Sequence, residues 1–90
     1  MKIKSDFSLK NIHGNYVVVA SGESARSFTA SIVLQKTAVF MWNLLKEKEM
    51  NKEQLVNALL QNFDISTVLA LNDVDSFFRI LKENEILESL

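Results

Sequence analysis

At 90 residues, with 48% hydrophobic and 23% charged residues, the chain has the length of one domain spanning 1–90 and a globular composition rather than a disordered one. It contains no cysteine, which excludes a disulfide framework, a thiolate metal site and an iron–sulfur site. Its net charge is −1, and its lysines and arginines are scattered among acids, as in Lys46-Glu47-Lys48-Glu49, unlike the one-sided basic surface that neutralises phosphates on a duplex.

The first third of the chain has the character of strands. Phe7-Ser8-Leu9-Lys10 alternates apolar and polar residues and runs on to Ile12, and Gly14-Asn15 is the expected two-residue hairpin turn. Tyr16-Val17-Val18-Val19-Ala20 is aromatic and β-branched, which suits a second strand. Ser21-Gly22-Glu23-Ser24 predicts a loop. A third strand is expected over Phe28–Leu34, with Phe28, Ala30, Ile32 and Leu34 on one face and Thr29, Ser31 and Val33 on the other.

The remainder has the period of helices. A first helix starts at Lys36 or Thr37, and Ala38-Val39-Phe40-Met41-Trp42 makes it apolar almost all round, with Trp42 in the core. Asn51 with Gln54 three residues later starts a second helix, whose stripe is Leu55, Leu59 and Phe63. Asp64 or Ser66 caps a third, with a main stripe of Leu71, Val74, Phe78 and Leu81 widened by Ala70, Phe77 and Ile80. Asn84-Glu85 ends it and Ile86-Leu87 turns back to the core. The fold class is therefore α+β, a three-stranded antiparallel sheet followed by three helices in a winged-helix-like order.

The third strand closes a meander and so has an edge. Sheet edges are usually blunted by lysine, proline or a bulge, yet Phe28 to Leu34 carries neither charge nor proline. Two readings fit this pattern. Either the edge is open to strand addition by a peptide, or the third helix or a second copy of the chain covers it. Likewise, Phe77 and Ile80 on one side of the third helix, and Leu71 and Phe78 on the other, suit both a groove floor and a fully packed core, with core the commoner fate of phenylalanines at this spacing.

No catalytic constellation stands out. His13 is the one histidine and sits beside the expected turn, and Asp73 and Asp75, two apart on a helix, point away from each other. The two glycines are isolated, so there is no phosphate-binding loop, and no cofactor is implied. The sequence Met1-Lys2-Ile3-Lys4 is not followed by a secretory apolar stretch, and no apolar run reaches the roughly 20 residues of a membrane helix. The expectation is a non-enzyme in the cytoplasm, with no membrane and no nucleic acid among its partners. A winged-helix DNA-binding or regulatory domain shares the element order. However, the third helix offers Asn72, Arg79, Lys82 and Asn84 among Asp73, Asp75, Glu83 and Glu85, a poor phosphate surface.

Several stretches together resemble PqqD-like proteins. They are Phe7-Ser8-Leu9-Lys10-Asn11-Ile12-His13-Gly14-Asn15-Tyr16-Val17-Val18-Val19, then Gly22-Glu23-Ser24-Ala25 with Phe28, then Ile32-Val33-Leu34-Gln35-Lys36-Thr37-Ala38 with Trp42-Asn43-Leu44-Leu45, and finally Asp64, Asp73-Val74, Phe77-Phe78, Leu81 and Ile86-Leu87-Glu88. Each is weak alone, but their joint order and spacing are specific. The family is also called the RiPP recognition element, after ribosomally synthesised and post-translationally modified peptides, and its founding member serves pyrroloquinoline quinone synthesis. The resemblance implies a non-catalytic peptide chaperone. Such a protein binds the leader segment of a precursor peptide as an added strand on the third strand and presents it to a modifying enzyme, often a radical S-adenosylmethionine (radical SAM) enzyme. Carried onto this chain, the peptide contacts fall on Thr29, Ala30, Ser31, Ile32 and Val33 and on the third helix at Asp73, Phe77 and Ile80. A homodimer through the same bare edge is compatible with this. The chain departs from its relatives at Thr29-Ala30, often Asn-Gly, and at Gln35-Lys36, often Asn and an acid, so its peptide is expected to differ from theirs.

Overall fold

The computed structural model of the chain describes residues 1–88. Three antiparallel strands in the order β1-β2-β3 precede three helices. β1 (Phe7–Ile12) and β2 (Asn15–Ala20) pair in register from Phe7↔Ala20 to Ile12↔Asn15. The turn between them is His13-Gly14, one residue earlier than expected, and Asn15 opens β2. Both turn residues have positive φ, 53° and 87°, the mirror-image turn whose twist matches the strands. Glycine takes that conformation without a Cβ penalty, and the Asn11 side chain accepts a hydrogen bond from the Gly14 N–H at 2.9 Å.

A 3-10 helix, Gly22–Arg26, stands where a loop was expected. Asp6 anchors it, its carbonyl accepting from the Ser21 N–H at 2.9 Å and its carboxylate from the Ser24 hydroxyl at 3.0 Å. The chain leaves this anchor at Phe28, whose N–H donates to the Ser24 carbonyl and whose ring packs edge-on against Phe7 at 5.3 Å. The expected strand Phe28–Leu34 consequently shortens to β3 (Val33–Leu34), because residues 28–31 follow the Asp6 and Phe7 contacts rather than β2. β3 pairs as Tyr16↔Leu34 and Val17↔Val33, and one further bond runs from the Val18 N–H to the Ile32 carbonyl at 3.0 Å.

α1 (Lys36–Glu47) is buried through Met41, Trp42 and Leu45. α2 (Lys52–Asn62) begins with the expected capping box, in which the Asn51 side chain accepts from the Gln54 N–H at 2.8 Å and the Gln54 side chain accepts from the Asn51 N–H at 2.9 Å. α3 (Thr67–Glu83) is capped by Ser66, not Asp64, with the Leu69 N–H donating to the Ser66 hydroxyl at 3.1 Å. Its buried stripe is Ala70, Val74, Phe77 and Leu81, which keeps Val74 and Leu81 of the expected main stripe and has Ala70 and Phe77 in place of Leu71 and Phe78. Leu71 is 48% exposed, and Phe78 lies under Lys52 of α2. These helical side chains meet Phe7, Val18 and Leu34 of the sheet in one hydrophobic cluster, each large apolar side chain contributing about 1.5–3 kcal/mol on burial. The two ends of the chain close on each other. Ile3 bridges Leu87, the Lys4 N–H donates to the Ile86 carbonyl at 2.9 Å, and Ile86 is buried. Among the described residues, no helix is long and apolar enough to cross a membrane.

Candidate functional site

The hydrogen-bonding parity of β3 decides which backbone groups are open. In an antiparallel ladder, residues alternate between facing the partner strand and facing away from it. The Val18–Ile32 bond and the Tyr16↔Leu34 pairing turn Ile32 and Leu34 toward β2, so Val33 turns its N–H and C=O groups to the outer edge. Among the described residues, the N–H groups of Thr29, Ala30 and Ser31 have no backbone partner. The edge is open, and α3 does not cover it.

A groove runs beside this edge. Val33 and Leu34 form one wall, Asp73, Ser76, Phe77 and Ile80 of α3 the other, and Thr37, Ala38 and Met41 of α1 close its end. The α3 residues are one edge of the helix by spacing: 73, 76, 77 and 80 are i, i+3, i+4 and i+7. Phe77 and Met41 are buried and make the floor, whereas Ile80 and Val33 are exposed and make the rims. Ala38 and Ser76 are the small side chains that leave the space open. The groove holds about 190 Å³, below the roughly 300–1,000 Å³ of small-molecule pockets, so it suits one peptide side chain rather than a free ligand. Its polar groups are few. The Thr37 hydroxyl donates to the Asp73 carboxylate at 3.3 Å, tying α1 to α3 at the groove's end.

A second depression lies farther along the same seam. It is lined by Phe28, Thr29 and Ala30 on one side and Glu83, Asn84 and Glu85 at the C-terminal end of α3 on the other. The segment 28–34 thus runs antiparallel to α3, with residues 33–34 near Asp73 to Ile80 and residues 28–30 near Glu83 to Glu85.

The structure therefore brings Val33, Asp73, Phe77 and Ile80 around one groove and puts Thr29 and Ala30 at the second depression. Ser31 lies between them on the open edge, and Ile32 turns to β2 and packs on the core. Of the positions where the chain departs from its relatives, Gln35 lines the groove, whereas Lys36 lines a depression with Tyr16 and Val39. Thr37, Ala38 and Met41 read in the sequence as parts of the first helix and Ser76 as a third-helix residue, none of them as part of a site. The available signal was small side chains at Ala38 and Ser76 within otherwise bulky apolar helices.

The other edge of α3 carries a depression of about 590 Å³, but there the ring and the acid have partners within the chain. Lys52 lies over the Phe78 ring at 4.4 Å and pairs with Asp75 at 3.0 Å, and Arg79, Lys82 and Glu83 complete a surface of mixed sign. Asp73 and Asp75 indeed face different neighbours, Thr37 and Lys52. His13 is exposed in the β1–β2 turn, and the described residues contain no group of three or more His, Cys, Asp or Glu side chains placed to hold a metal.

Residues 16–87 match the model of the family PqqD, coenzyme PQQ synthesis protein D. The fold is similar to that of the solved structure of TbiB1 in complex with the TbiA(β) leader peptide, at a TM-score of 0.72 and 23% sequence identity, covering 100% of this chain and 98% of that one. A likeness at that identity shows a shared fold. No curated protein matches the sequence.

Proposed function

The chain belongs to the PqqD family, and from that premise we propose that it is a non-catalytic protein that binds the leader segment of a ribosomally made precursor peptide by strand addition. The observation that carries the proposal is the outer edge of β3. Val33 turns its unpaired backbone groups outward and the Ser31 N–H has no backbone partner, directly beside a groove of the size of one side chain floored by Phe77 and Met41. An extended peptide laid on that edge pairs with Ser31 and Val33. It turns every second side chain into the seam, past Asp73, Phe77 and Ile80 first and Thr29 and Ala30 after. The neighbour TbiB1, which shares the fold and was solved in complex with a leader peptide, supports leader-peptide binding.

In the cytoplasm, residues 1–90 act as one peptide-binding domain that hands its peptide to a modifying enzyme, of the radical SAM class. A homodimer through β3 uses the same backbone groups, so it forms only in the absence of peptide.

The test is a titration of the isotope-labelled chain with the leader segment of a precursor peptide encoded beside its gene. Amide shifts are expected at Thr29 to Val33 and at Asp73 to Ile80. Shifts confined to α2 or to the His13-Gly14 turn would overturn the proposal.

A further inference from the structure

Among the residues that line the groove, Asp73 is the one ionisable side chain. Its carboxylate is half-buried and has a single side-chain hydrogen bond, the long one from Thr37 at 3.3 Å. Among the described residues no lysine or arginine pairs with it. The ion pair on α3 is Lys52 with Asp75, on the opposite edge, and Lys36 lines a different depression.

The nearest compensation is the N-terminus of α1, where Thr37 stands in the first turn and the N-cap Gln35 gives no side-chain bond. A helix end supplies about half a positive charge, against the full negative charge of the carboxylate, so this end of the groove is net negative. A peptide strand laid across it removes water from Asp73. If the peptide is apolar there, a half-buried carboxylate loses solvation without replacement, and if it is acidic, repulsion is added. A lysine or arginine restores the lost interaction and gains a partly desolvated ion pair.

We infer that Asp73 makes this groove selective for peptides that carry a lysine or arginine two positions from an apolar anchor residue. The inference rests on the strand-addition reading. The spacing follows from geometry. Asp73 and Phe77 are one helical turn apart, about 6 Å along the axis, and two strand residues advance about 6.6 Å while keeping both side chains on one face. The apolar residue sits over Phe77 and Met41, and its basic neighbour on the same face reaches Asp73.

The test is selection of random 12-residue peptides displayed against the full chain, its D73N and D73K variants, and S31P. Wild-type chain is expected to enrich Lys or Arg two positions from Leu, Ile, Val, Phe or Met. D73N is expected to bind the selected peptides about tenfold more weakly, the scale of a charge pair between fully exposed and fully buried. D73K is expected to enrich Asp or Glu at the same position, a reversal that a merely structural role for Asp73 would not produce and that shows the variant to be folded. Peptides that lose binding on S31P yet show no charge preference, or an acidic one on wild type, would overturn the role of Asp73 alone. Peptides whose binding ignores S31P, or no selected peptides at all, would overturn strand addition and this inference with it.

Discussion

On α3, Asp73 and Phe77 face β3 and α1, whereas Asp75 and Phe78 face α2, so each acid and each phenylalanine has a near-twin on the opposite edge. The α2 edge satisfies itself: Lys52 neutralises Asp75 and covers the Phe78 ring. The β3 edge does not. Phe77 floors a groove that nothing in the described chain fills, Asp73 has only the Thr37 hydroxyl, and the adjacent strand leaves backbone groups unpaired. The difference arises because a helix advances about 100° per residue. Steps of one or two positions therefore send chemically similar side chains to different neighbours, and those neighbours decide which edge is left open for a partner.

The sharpest contrast should be between the two phenylalanines. Phe77→Ala removes a buried ring, 3% exposed, and is expected to cost about 3–5 kcal/mol in urea unfolding, while Phe78→Ala costs clearly less. Equal losses would erase the distinction between floor and flank. Next is Ser31→Pro, which removes an N–H that has no backbone partner in the free chain. The melting temperature should hardly move, while affinity for a leader peptide falls by about tenfold, from one lost hydrogen bond and the ring's bulk on the edge. A variant that binds as well as wild type would place the peptide elsewhere. Trimming the groove rim with Ile80→Ala is expected to weaken peptide binding about fivefold, the worth of roughly 1 kcal/mol of apolar contact. An unchanged titration curve would take Ile80 out of the site. Smallest is Lys52→Ala on the α2 edge. Its ion pair is about half exposed on both sides, at 48% and 58%, so a loss under about 1 kcal/mol in stability and no change in peptide affinity are expected. A clear fall in affinity would mean that both edges of α3 contribute.

The elements themselves were legible in the sequence because their signals are local. Val17, Val18 and Val19 have few alternatives to a strand, and Asn51 with Gln54 writes a capping box that the structure forms in full. Less legible was whatever depends on contacts between elements. Phe28 to Leu34 alternates like a complete strand, yet only Val33–Leu34 pairs regularly, since Asp6 and Phe7 claim the chain before it. The sequence pattern of α3 allows a stripe through Leu71, Val74, Phe78 and Leu81 because its apolar residues surround much of the helix. Periodicity alone cannot fix its rotation to within one residue, and in the structure Phe77 is buried while Phe78 lies under Lys52. For the site, the uncharged edge was visible as a pattern, but whether it was open or covered was not. The ladder parity set by Val18 and Ile32 shows that, among the described residues, no strand of the chain itself pairs with that edge. The part of Thr37, Ala38, Met41 and Ser76 in the site is not legible in the sequence, because it exists only where α1 and α3 meet β3.

Strand addition at β3 is tested most directly by amide hydrogen exchange with and without a bound leader peptide, resolved residue by residue across 29–34. The N–H group of Ser31 has no backbone partner, that of Val33 faces outward, and that of Leu34 faces β2. Bound peptide should therefore slow exchange strongly at Ser31 and Val33 and change Leu34 little. Uniform slowing across the segment, or protection that appears only in α2 or the His13-Gly14 turn, would contradict an added strand on this edge.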